Sequence, residues 1–71
     1  MTIGQILRHS RERLGLAPLD VDARTHGAVP VGLVTRLELG FCEPTPSQLE
    51  TLIDLYGPEC RALLANQKET T

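Results

Sequence analysis

Helix-breaking residues interrupt this chain at short intervals. Gly15 and Pro18, the run Thr25-His26-Gly27-Ala28-Val29-Pro30, Gly40, Pro44 and Pro46, and finally Gly57-Pro58 leave only brief uninterrupted stretches. Proline lacks the amide proton a helix interior needs, and glycine ends helices in the left-handed conformation. A helix shorter than about 12–15 residues is marginal in water by itself. The stretches must therefore bury their apolar sides in one shared core. With 71 residues, the chain makes one small domain that buries only about 60% of its unfolded surface.

Each stretch carries helical signals. Thr2 followed by Gln5 fits a capping box, in which each residue satisfies a backbone N–H of the other. Ile3, Ile6, Leu7, Ser10 and Leu14 then recur at helical spacing, with Arg8 and Glu12 on the opposite side. Gly15 should cap this helix, with Leu16 closing the apolar contact. Pro18 suits a first helical position, and Leu19 to Thr25 reads as a short second helix. Pro30 opens a third segment that ends near Leu39, at Gly40. Thr45-Pro46-Ser47-Gln48 is a second capping box, followed by Leu49, Leu52, Ile53 and Tyr56 at i, i+3, i+4, i+7. Glu59 to Ala65 reads as a last helix packing Leu63 or Leu64. Residues 66–71 read as a polar C-terminal tail. No segment alternates in the manner of a strand, so the expectation is an all-α domain over residues 1–65.

Composition narrows the function. Apolar residues make up 41% and charged residues 23%, which excludes a disordered or fibrous chain. No apolar run approaches the ~20 residues of a membrane span. The N-terminus has no signal-peptide core, and Cys42 and Cys60 fit no metal spacing. We expect two free thiols in the cytoplasm rather than a disulfide. His9 falls on the polar side of the first helix and His26 in the turn, with no carboxylate cluster at metal-ligand spacing. No phosphate-binding glycine loop or nucleophile elbow is present. The chain is expected to be no enzyme, with no cofactor, metal or small-molecule substrate. Phe41 and Tyr56 are the only aromatic residues, too few for a base-stacking platform. The net charge of −2 is unevenly spread. Residues 1–37 carry five arginines against three acids, whereas 38–71 carry two basic residues against six acids. Any face that attracts phosphate must come from the first half.

Leu7-Arg8 and Arg11, then Leu14-Gly15-Leu16, Val34-Thr35-Arg36-Leu37-Glu38-Leu39-Gly40 and Glu43-Pro44-Thr45-Pro46-Ser47 follow one another in this order. The chain thereby resembles, over residues 3–64, the phage-repressor (Cro-like, xenobiotic-response-element) helix-turn-helix family. The resemblance implies a compact five-helix, lambda-repressor-like domain whose third helix enters the DNA major groove. On a helical wheel Leu33, Val34 and Leu37 fall on one side, and Val31, Gly32, Thr35, Arg36 and Leu39 on the other. The resemblance makes Val31, Gly32, Thr35 and Arg36 the positions at base edges, with Arg36 able to hold guanine O6 and N7. Arg24, Arg8 and the N-terminal N–H groups of helices two and three would meet phosphates. Arg11 and Glu38 would form a partly buried structural salt bridge.

The departures from the family are specific. Ala17 and Pro18 stand where a Ser/Thr cap and a phosphate-binding glutamine are usual. Asp22 stands where a small alanine usually lets the two helices approach. The span from Val21 to Val34 is two residues longer than the usual tight turn, which would either extend helix two or loosen the loop. Leu39, Phe41 and Cys42 form either an exposed apolar patch suited to a protein partner, or a stretch in which Phe41 folds back onto helix four. Two functional readings follow. One is a small DNA-binding transcriptional regulator, a repressor acting as a homodimer on double-stranded DNA. The other is a protein-interaction module of the same fold, with weak or no DNA affinity. An antitoxin-like partner of both DNA and protein lies between them.

Overall fold

The computed structural model describes residues 1–67. The first helix, α1 (Ile3–Arg13), begins at a reciprocal cap: Gln5 N–H donates to Thr2 Oγ1 at 3.1 Å and Thr2 N–H donates to Gln5 Oε1 at 2.8 Å. Four more helices follow: α2 (Pro18–Arg24), α3 (Val31–Leu39), α4 (Pro46–Tyr56) and α5 (Pro58–Gln67). Thr45 and Gln48 repeat the reciprocal cap at α4, at 3.1 and 3.0 Å. Gly40, at φ 82°, ends α3 in the left-handed conformation. The chain is thus an all-α, five-helix domain, with no strand among the described residues. No helix among them is long and apolar enough to cross a membrane.

The core draws on every helix. Ile6 and Leu7, Val21, Val34 and Leu37, Leu52, Ile53 and Tyr56, and Cys60 are all buried. Each such side chain contributes about 1.5–3 kcal/mol by leaving water. Helix α1 is the hub, packing against α3, α4 and α5, while α2 packs on α3.

Several expectations change at this level. Leu14 is exposed, because it is the cap residue of α1 and lies past the last helical turn; Leu16 packs on the core in its place. Cys60, fully buried, supplies the α5 core contact, with Leu63 and Leu64 half-buried beside it. Both cysteines are free thiols. Phe41 does not fold back onto α4: it is 75% exposed. Asn66 and Gln67, read as the start of the tail, continue α5, and residues 68–71 of that tail lie outside the described residues.

The connection between α2 and α3 neither extends the helix nor loosens. Gly27 N–H donates to Asp22 O at 2.9 Å, His26 N–H to Ala23 O at 3.2 Å and Ala28 N–H to Thr25 O at 3.1 Å. Thr25 Oγ1 donates to Val21 O at 2.8 Å and accepts from Val29 N–H at 3.2 Å. Two consecutive left-handed residues, His26 at φ 54° and Gly27 at φ 79°, reverse the chain. The reversal drives Val29 into the core at 0% exposure. The connection is therefore anchored by a core side chain.

Candidate nucleic-acid interface

Helix α3 is held by its inner side. Val34 and Leu37 are buried, Leu33 is half-buried, and Gly32, Thr35 and Arg36 are exposed, as are Val31 and Leu39. The wheel and the structure thus divide this helix in the same way. Nothing among the described residues covers its outer side. Thr35 Oγ1 donates to Val31 O at 3.3 Å, one turn back along the helix.

The cations around α3 differ in availability. Arg8 is engaged by Glu12 one turn along α1, Nε to Oε2 at 3.2 Å. Arg24 and Arg36 are exposed and form no ion pair among the described residues. Arg11 is committed to the structure. Its Nε and Nη2 donate to the two oxygens of Glu38 at 2.7 and 2.9 Å, and Nη1 donates to Leu16 O at 2.7 Å. The fork ties α1 to α3 and to the turn after α1. The hydrogen bond to Glu38 raises the Arg11 pKa against the opposing effect of burial, so the guanidinium stays charged. Tyr56 is buried near both, and burial raises its phenol well above the usual range.

The starts of α2 and α3 each carry a carboxylate. Asp22 Oδ2 accepts from Val31 N–H at 3.0 Å, so a carboxylate from α2 caps α3 across the turn. Asp20 Oδ2 accepts from Ala17 N–H at 2.8 Å at the start of α2, where Ala17 offers no capping side chain. An approaching phosphate meets like charge at both termini. Phosphate contacts through the N-terminal N–H groups of these helices would therefore have to form beside these two carboxylates. The Asp22 cap joins residues nine apart, a relation invisible to local motifs such as the capping box.

Asp22→Ala leaves Val31 N–H without its acceptor. The loss is expected to cost about 1 kcal/mol, lowering the melting temperature by roughly 4–8 °C. A thermal melt by circular dichroism reads it directly, and an unchanged midpoint would remove the cap from the account.

No family model, curated protein or solved structure matches the chain.

Proposed function

We propose that this chain is a small DNA-binding transcriptional regulator that acts in the cytoplasm and lays α3 in the major groove as one half of a dimer. The observation that carries this reading is the outer side of α3. Thr35 and Arg36 stand on the uncovered side of the helix, Arg24 is exposed at the end of α2, and neither arginine is held by an acid among the described residues. An arginine fork can hold guanine, the role we assign to Arg36, and Arg24 is assigned to the backbone phosphates. The resemblance to phage-repressor helix-turn-helix domains supports the same orientation. The molecule measures 33 × 23 × 20 Å. A side-by-side pair of that size suits two groove segments one turn, about 34 Å, apart. Control would be steric, by occupying a promoter.

The charge pattern sets the strength. Arg24 of each copy, joined by Arg8 if it leaves Glu12, implies two to four phosphate neutralisations per dimer. Affinity should then fall about ten- to 150-fold between 50 and 200 mM salt. Fluorescence anisotropy on a labelled random-sequence duplex measures this. Arg24→Ala should weaken binding to all sequences alike, and Arg36→Ala should flatten the preference among them. Absence of binding even at 50 mM salt would reject the reading.

A second reading, a protein-interaction module, is favoured by Leu39 at 59% and Phe41 at 75% exposure just beyond the outer side of α3. An apolar pair this open is more typical of a protein contact than of a phosphate contact.

A further inference from the structure

We infer that the outer side of α3 selects thymine, with Val31 and Thr35 seated against 5-methyl groups in the major groove. This deepens the regulator reading above and rests on it. Val31, Thr35 and Leu39 recur at i, i+4, i+8, so they form one stripe along α3, and all three are exposed. Thr35 donates its hydroxyl proton to Val31 O at 3.3 Å, so it offers a base edge a methyl group and an oxygen that only accepts. Beside the stripe, Gly32 has nothing within 4 Å of where a Cβ would stand. The backbone can therefore come close to a base edge there.

Thymine is the one base whose major-groove edge carries a methyl group. Opposite any other base an apolar side chain strips water from donors or acceptors without pairing them, at a net loss. Val31 has no polar side-chain group and Thr35 has no proton left to donate, so the stripe discriminates by methyl contact. Four residues rise about 6 Å along a helix, close to two base-pair steps of about 3.4 Å. Val31 and Thr35 are thus spaced for thymines two base pairs apart. The N-terminal residues of a groove-lying helix are the ones that reach base edges; Val31 opens α3 and Thr35 lies one turn on. The charge on this side suits DNA. Among the exposed residues of α3 only Arg36 is charged, and it is a cation. Asp22, at the start of the helix, is held by the Val31 N–H.

The full chain is used to enrich duplexes from a random pool. Each thymine of the preferred site is then replaced, one at a time, by deoxyuridine, which lacks only the 5-methyl group. Anisotropy should show affinity falling about three- to five-fold at one or two thymines per half-site, the loss expected when one methyl leaves an apolar contact. Thr35→Ser keeps the hydroxyl and drops the methyl, and should cut the loss at one thymine to under about 1.5-fold. Thr35→Val keeps a methyl and drops the hydroxyl, and should preserve that loss. Val31→Ala, which withdraws two methyl groups, should cut the loss at the other thymine to under about twofold. Four results overturn the inference: a pool that enriches no thymine, deoxyuridine sites all bound within about 1.5-fold of the original, methyl dependence that survives both Thr35→Ser and Val31→Ala, or its disappearance in Thr35→Val. Absence of duplex binding at about 50 mM salt rejects the regulator reading and the inference together, whereas binding that ignores the methyl groups rejects the inference alone.

Discussion

Glu38→Ala should leave the chain largely unfolded at 25 °C. Glu38 receives two hydrogen bonds from Arg11, at 2.7 and 2.9 Å, with both side chains about nine-tenths buried. Taking one partner from such a pair strands the other charge in a medium that solvates it poorly, at a cost of about 3–5 kcal/mol. A single core in a domain of this size rarely supplies more than about 3–5 kcal/mol in total. The two quantities match, so the folded state loses its margin. Arg11 also donates to Leu16 O, so its displacement loosens the turn leading into α2. Loss of the ellipticity at 222 nm and of a cooperative urea transition would be the readout. Replacing both partners together, as Arg11→Met with Glu38→Leu, should recover much of the loss, since no unpaired charge remains. A Glu38→Ala melting temperature within a few degrees of wild type would show that the pair contributes little.

The five helices are legible in the sequence because their starts and stops are local. Thr2 with Gln5, Thr45 with Gln48, and Gly40 each act within a few residues, and the structure places helix ends beside them. The two sides of α3 are equally local, since one helical period separates Val34 and Leu37 from Thr35 and Arg36. What escapes the sequence depends on elements meeting. Val29 sits in a stretch of breakers and reads as loop, yet the reversal at His26 and Gly27 carries it into the core. Asp22 reads as a residue that holds two helices apart, yet it links them by capping α3. Cys60 follows an acid at the start of a weakly patterned helix, and only the packing of α5 on α1 and α4 shows that it is buried. The outer side of α3 is legible as exposed, whereas the groove lined by Ile3, Arg8, Leu39 and Cys42 is not. That groove forms between the start of α1 and a loop more than thirty residues later.

The same physics makes two glycines respond oppositely to alanine. In isolation alanine favours a helix over glycine by about 0.8–1 kcal/mol. Gly32, exposed in the first turn of α3, has nothing within 4 Å of where a Cβ would stand, and Gly32→Ala should stabilise the fold by about 0.4–1 kcal/mol. Gly4 lies in the first turn of α1, where a Cβ would stand 2.5 Å from Leu37 O and 2.7 Å from Glu38 O. Those atoms are backbone, so no side-chain rotation relieves the clash, and α1 must move away from the end of α3. Overpacking of this kind costs about 1–3 kcal/mol, and a rigid backbone on both sides belongs at the upper end of that range. The net loss after the propensity gain is then about 2 kcal/mol, or a fall of roughly 8–16 °C in melting temperature. Gly4 and Arg11 lie seven residues, about two turns, apart on one stripe of α1. Separation at Gly4 therefore strains the Arg11–Glu38 fork along the same seam. Double-mutant cycles between Gly4→Ala and Glu38→Gln should show coupling of about 0.5 kcal/mol or more, whereas Gly32→Ala should add independently to either. Equal shifts from the two glycine substitutions, in sign and size, would mean that α1 and α3 do not approach each other at Gly4.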